Sequence, residues 1–284
     1  MICFFQNYAY FCRKEGKMKS ILDSKIVLIG AGNVATHIAL GLASRGVVVS
    51  QVWSRTLESS RKLACRLGTV ATNDVAEIAT DADFYIFSVS DNALPHVISE
   101  VCARSSKGIF LHTAGSMSMK LFAPYVHSYG VLYPMQTFSK AKDVDFSLIP
   151  CFVEASDEST LRSIRDLASV LSSRVYELTE EQRGKLHIAA VFACNFSNCC
   201  FALAAKLLRS NAIDFDVMLP LIDEMVNKVH VMDPVDAQTG PAARGDTEVM
   251  DAHMRSLDAS PDMQRVYEIM SATITKLKQD KIHL

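Results

Sequence analysis

Short apolar runs alternate with amphipathic stretches over the first 178 residues of the chain. Residues 25–29 (KIVLI) form a β-branched run of the kind that fills a strand buried on both faces. A helical pattern follows in ATHIALGLASRG, then a second strand in VVVSQVWSR and a helix in LESSRKLACRLG that Gly68 ends. TVATNDVAEIAT reads as a short strand and helix. DFYIFSVS is a strong strand, and ALPHVISEVCARS is a helix opening near Pro95. GIFLHTAGS, GVLYPMQTFS and IPCFVEAS are three further extended segments. DESTLRSIRDLASVLSS is a helix with Asp157 or Ser156 as its N-cap, and RVYEL is a last strand.

From about Thr179 the period changes. TEEQRGKLHIAAVFACNFSNCCFALAAKLLRS is one long apolar helix, IDFDVMLPLIDEMVNKVHVM and SPDMQRVYEIMSATITKLKQ are two more, and no strand pattern returns. The predicted fold class is therefore α/β: a Rossmann-type, mostly parallel sheet with helices on both faces, followed by an all-α C-terminal domain. The expected division is 1–24 as an N-terminal extension, 25–178 as the α/β domain and 179–284 as the all-helical domain.

Composition agrees with a globular chain. Of 284 residues 49% are hydrophobic and 21% charged, and the net charge is −2. Near-neutrality gives no case for a nucleic-acid partner. No run reaches the roughly 18–20 uninterrupted apolar residues of a membrane span, so no membrane partner is expected. The apolar start, MICFFQNYAYFC, lacks a leading basic residue, is interrupted by Gln6 and Asn7, and has its basic cluster after it. It reads as an extension before Met18 rather than a signal peptide. Cys3, Cys12, Cys65, Cys102, Cys151, Cys194, Cys199 and Cys200 form no C-x-x-C pair and no zinc spacing. They read as reduced, buried, small hydrophobes, which points to the cytoplasm. His230, Asp233 and His253 match no metal-site spacing, and no metal is expected.

The strongest chemical signal is Gly30-Ala31-Gly32-Asn33-Val34-Ala35, which fits G-x-G-x-x-A between a strand and a helix. Gly30 allows the tight turn, Gly32 lets a pyrophosphate approach the backbone, and Ala35 lets helix and strand pack. Asn33 and Val34 open the helix, whose free N–H groups and dipole favour phosphate. The second strand ends in Trp53-Ser54-Arg55-Thr56 with no acid before Glu58. An acid there would bind a ribose 2′-hydroxyl. Arg55 instead meets a 2′-phosphate, with Ser54 and Thr56 as further donors, so the expected cofactor is NADP rather than NAD. Val89, Ser90 and Asp91 end the strong strand and line the cofactor crevice, where Asp91 or Asn92 also suits a helix N-cap.

These residues carry a resemblance. The stretches IGAGNVATHIA, VWSRT, SVSDNAL, LHTAGS, YPMQTFS, LHIAAVFACNFSN and TGPAARGD, from about Ile26 to Asp246, resemble the Rossmann-like NADP oxidoreductases that carry a C-terminal domain of unknown function. This group lies in the 6-phosphogluconate dehydrogenase-like superfamily, with 3-hydroxyisobutyrate dehydrogenases, ketopantoate reductases, pyrroline-5-carboxylate reductases and deazaflavin-dependent NADP reductases. The resemblance implies a helical domain that takes part in a homodimer and an active site in the cleft between the two domains.

Hydride transfer to a carbonyl or imine needs a proton donor and groups that polarise the acceptor. Many of the relatives it resembles use a Lys-x-x-x-Asn pair on the first long helix of the second domain. Here Asn195 falls in the matching stretch, but Val191 stands where the lysine would be. His187, eight residues before Asn195 and on the same helix face by α-helical spacing, is the replacement donor. In this apolar helix, His187 and Asn195 also suit satisfied core polar groups. His112 and Ser116, in a loop at the same sheet edge, are placed to meet nicotinamide or substrate, or to form a hydrogen-bonded turn. Gln136, in the Tyr133–Thr137 loop, shapes the pocket or a rigid turn. Arg244, between helices, binds a substrate carboxylate or phosphate, or pairs with Asp246. The expected function is hydride transfer between NADP(H) and a small, anionic metabolite, with a second redox carrier in place of the metabolite as a variant. The alternative is a non-catalytic dinucleotide-binding dimer serving as redox sensor or scaffold.

Overall fold

The structure is a computed structural model that describes residues 20–282. The expected extension therefore lies mostly outside the described residues, as do Cys3 and Cys12. Ser20 caps a short 3-10 turn, Ile21–Asp23, and β1 (Lys25–Ile29) follows directly. The chain folds as two compact units, the first running to Phe192 and the second beginning at Ala193. That division falls later than the change of pattern near residue 178.

The first unit holds β1, α1 (Asn33–Ala43), β2 (Val48–Trp53), α2 (Leu57–Leu67), β3 (Val70–Thr72), β4 (Phe84–Phe87), α3 (Leu94–Cys102), β5 (Ile109–His112), β6 (Tyr129–Pro134), β7 (Cys151–Ala155), α4 (Glu158–Leu171), β8 (Val175–Glu177) and α5 (Glu180–Ala190). The strands make one eight-stranded sheet in the order β3-β2-β1-β4-β5-β6-β7-β8. Every pairing is parallel except β6 with β7.

Strand alternation explains the two cores. Ile26 and Leu28 of β1 join Ala35, Ile38, Ala39 and Leu42 of α1 and Ile164, Leu167 and Leu171 of α4 on one face. Val27 and Ile29 join Leu94, Val97, Ile98 and Val101 of α3 on the other. Both faces are covered, so the central strands are apolar throughout rather than alternating. Asp157 caps α4 by accepting from Thr160 N–H, and Gly68 ends α2 in the left-handed region at φ 65°. α5 opens on a reciprocal capping box between Thr179 and Gln182.

The helix that begins as α5 is wound as a π-helix over Val191–Phe196 and continues as α6 (Ser197–Arg209). The second unit then holds α7 (Leu219–Val231), α8 (Pro234–Ala237), α9 (Pro241–Arg244), α10 (Thr247–Ser256) and α11 (Pro261–Ile282). The sequence pattern had missed α8, α9 and α10. Among the described residues of this unit Ala242 alone is buried.

One expectation needs correction. Cys102 and Cys151 are buried, and burial pushes both thiols up to about 12. Cys65, Cys194, Cys199 and Cys200 are exposed instead, because the apolar faces that carry the last three are not covered within one chain. The stretch Glu180–Arg209 has no uninterrupted apolar run of span length; as a helix of 30 residues it is long and apolar enough to cross a membrane by length and average composition alone. Its first turn is acidic, through Glu180 and Glu181, and its Arg183 is held inside the first unit.

Candidate active site

The glycine turn forms because β1 ends where Gly30 turns with φ 118°, a value that L side chains rarely adopt. Gly30 N–H donates to the Trp53 carbonyl at 2.8 Å, and Ser88 N–H donates to the Ile29 carbonyl at 2.7 Å. A side chain at Gly30 would meet the Ser88 carbonyl oxygen at 2.3 Å, so glycine is required there. Gly32 differs: a Cβ on it would face open space, with nothing within 4 Å. It caps α1 without any side-chain hydrogen bond, so the first-turn N–H groups face the cleft uncapped. This is the cradle a pyrophosphate requires, and the residues fit the group.

The cleft has a volume of about 680 Å³. Its walls are Gly30, Ala31 and Gly32, then Ser54, Arg55 and Thr56 from the end of β2, then Ser88, Val89 and Ser90 from the end of β4. Nine of the ten expected cofactor residues surround it or open α1 beside it. The tenth, Asp91, accepts from Ser116 Oγ at 2.5 Å, which joins the β4 and β5 loops. Asn33 reaches the cofactor side through its backbone, because its amide donates to the Phe138 carbonyl at 2.9 Å. Val34 packs against the core. The same cleft is lined by Glu100 and His96 of α3, a carboxylate and an imidazole that the end of β2 gave no reason to expect. Trp53 is 6% exposed beneath it, and its indole N–H is buried without a hydrogen-bond partner.

From the cleft the wall continues along the carboxyl edge of the sheet, where ligands of such folds bind. Thr113 Oγ1 bonds Ser88 Oγ at 3.1 Å. Two residues on, Gly115 lies against His187: a Cβ there would sit 2.4 Å from Nδ1 of His187. His187 is half-buried, and its Nδ1 is 3.1 Å from the hydroxyl of Tyr133, at the end of β6. The two rings meet edge to face, centroids 5.9 Å apart. Beneath this pair lies Arg183, 1% exposed. Its guanidinium donates to the carbonyls of Ala114 (3.2 Å) and Gly115 (2.8 Å) and to Glu154 Oε2 (3.2 Å). Burial pushes the Tyr133 hydroxyl above its ordinary pKa, while the Arg183 charge pulls it back.

His112 does not join this group as a proton donor. Its ring is fully buried and stacks on Phe122, and Nδ1 accepts from Ala114 N–H at 3.2 Å. Burial first, and the Arg183 charge second, lower its pKa to about 3, so it is neutral. Ser116 is exposed and bonded to Asp91. Gln136 turns its carbonyl oxygen back onto Thr137 N–H at 2.8 Å. Asn195 is exposed in the π turn, whose winding breaks the α-helical spacing that placed it on the face of His187. Arg244 is exposed on α9, and Asp246 spends its carboxylate capping α10. Sequence reasoning overlooked Tyr133 as a partner of His187 and overlooked Arg183 altogether. Arg183 stands four residues before His187, an i, i+4 signal on one helix face.

A sheet in this order with a glycine turn at the β1–α1 switch is the framework of a dinucleotide-binding fold. Residues 25–111 match the family model "NADP oxidoreductase coenzyme F420-dependent", and residues 149–274 match a domain of unknown function, DUF2520. An NADP oxidoreductase of Bacteroides fragilis, so named provisionally, is 48% identical; the match covers 90% of this chain and 100% of that one, with a TM-score of 0.87. The chain belongs to this family of NADP oxidoreductases. A protein of Thermotoga maritima shares the fold at 19% identity and a TM-score of 0.74, over 89% of this chain and 99% of that one. An imine reductase of Myxococcus stipitatus, in complex with NADP+, does so at 15% and 0.66, over 90% and 94%. None of the curated proteins compared with the chain matches it.

Proposed function

We propose that the protein transfers a hydride between NADP(H) and a small, anionic metabolite carrying a carbonyl or imine, with Tyr133 and His187 managing the proton. The hydrogen bond between Tyr133 and His187, beside the loop that ends β5, carries this reading. Bound NADPH supplies the hydride. With the proton on Nδ1, His187 donates to the Tyr133 oxygen, and the Tyr133 hydroxyl is left to face the acceptor. As the acceptor carbon is reduced, its oxygen or nitrogen takes the Tyr133 proton; the phenolate recovers one from Nδ1 of His187, and Nε2 takes a proton from solvent, so the ring stays neutral. Burial disfavours the Tyr133 phenolate, and the Arg183 cation opposes that effect and so stabilises the transient phenolate. Imine and pyrroline-5-carboxylate reduction, named for relatives of the same fold, supports an acceptor with a C=N bond. Ser116, Gln136, Asn195 and Arg244 are the polar groups proposed for the substrate, Arg244 for its negative charge.

The bareness of the second unit supports a homodimer that covers its apolar faces. Exposed thiols at Cys194, Cys199 and Cys200 fit the reducing cytoplasm.

The test is turnover of NADPH with a panel of small keto acids and cyclic imino acids. Tyr133→Phe and His187→Ala are expected to bind NADPH as the parent does and to lose about 10²–10⁴-fold in turnover. Full turnover in both variants would refute the proton assignment. A parent that binds NADPH and reduces no member of the panel would favour the non-catalytic dimer.

A further inference from the structure

Besides Arg55, one more cation at the cofactor cleft belongs to no part of the glycine motif. The segment 136–145, between β6 and β7, lies across the start of α1. It is fixed there by Asn33 Nδ2 donating to the Phe138 carbonyl (2.9 Å) and by the His37 Nε2 contact with the Ser139 carbonyl (2.9 Å). Phe138 stacks on His37 at 5.1 Å and on Phe146 at 5.9 Å. So anchored, the segment delivers Lys140 into the cleft, where Nζ donates to the carbonyl of Ala31 at 2.7 Å, within the glycine turn itself.

We infer that Lys140 is a phosphate ligand, a clamp that closes over the pyrophosphate of the bound dinucleotide from the β6–β7 side. The inference rests on reading this cleft as the dinucleotide site. An ammonium group has three donors, and the Ala31 carbonyl takes one. A phosphate oxygen is a stronger partner than a neutral carbonyl, because both ends of the bond are then charged. The glycine turn offers backbone N–H groups and a helix dipole but no full positive charge. Lys140 supplies that charge from about a hundred residues further along the chain. Its contact with Ala31 puts it at the turn, whereas Arg55 stands at the end of β2, where a 2′-phosphate is expected. The two cations therefore divide the cofactor between them: Lys140 serves what NADPH and NADH share, and Arg55 serves what distinguishes them.

The experiment is titration of the full-length protein with NADPH and with NADH, followed by nicotinamide fluorescence, at low and at raised salt. K140A and K140Q are expected to weaken both cofactors by the same factor, about ten- to a hundredfold, with the loss shrinking as salt rises. K140R, which keeps the charge, is expected to recover most of the affinity. R55A is expected to weaken NADPH and leave NADH unchanged. Unchanged affinity in K140A would overturn the inference and reduce Lys140 to a tether for its own loop. A loss confined to NADPH would overturn it too, by moving Lys140 to the 2′-phosphate. If the parent protein bound neither cofactor, the dinucleotide reading itself would fall, an outcome distinct from both.

Discussion

The two units differ most in what they bury. In the first, alternate residues of one strand enter two separate cores, Ile26 and Leu28 on one side and Val27 and Ile29 on the other. Each loop that carries chemistry is held by a buried partner. In the second, Leu221, Val231 and Ile269 are 62%, 80% and 65% exposed, and Ala242 is the one described residue that is buried. The apolar content of a helix therefore does not say what covers it. The first unit finishes its own core and so can hold a donor pair in place. The second presents apolar faces that need a cover, for which we propose a second copy.

The largest expected effect attacks the finished unit. Arg183→Met removes the cation that ties the Gly115 loop to Glu154, leaving a largely buried carboxylate and two carbonyls without their donor. A loss of about 3 kcal/mol in denaturant unfolding is expected. A loss under about 1 kcal/mol would mean that the loop holds itself. The next attacks the bare unit. Ile269→Glu places a charge on an apolar face and is expected to weaken self-association by about a hundredfold in sedimentation measurements, with the sheet signal in circular dichroism unchanged. An unchanged association constant would remove α11 from the proposed interface.

The last, the smallest per pH unit, concerns His112. Its pKa is about 3 in the folded chain, below the ordinary value of 6.5, so between those values the unfolded chain binds a proton that the folded one refuses. Stability is then full above about pH 6.5 and falls as the pH drops toward 3, by at most about 1.4 kcal/mol per pH unit for this one group. His112→Asn should flatten that slope. A slope of the same steepness in the variant would assign it to other groups.

What could be read in the sequence was local. The glycine turn, the N-cap at Asp157 and the stop at Gly68 each depend on residues within one turn of each other, and each appears where its pattern fell. The antiparallel β7 was not readable, since an apolar strand has the same period in either direction. Arg183 and Lys140 were hidden for a different reason. Their partners, Gly115 and Ala31, lie 68 and 109 positions away in sequence, and no periodicity encodes such a meeting. The cysteines misled because an apolar neighbourhood in sequence was taken for burial.

Trp53 offers an optical consequence. It is the sole tryptophan of the chain, and it lies at the floor of the proposed cofactor cleft with its indole N–H unpartnered. Excited at the long-wavelength edge of protein absorption, where tyrosine is silent, the whole protein emits from one point in the first unit. Reduced nicotinamide absorbs in the range where a buried indole emits, so energy passing from Trp53 would make the protein report its own occupancy. Events in the second unit would stay dark in that signal, so the two units can be watched separately in one unlabelled sample.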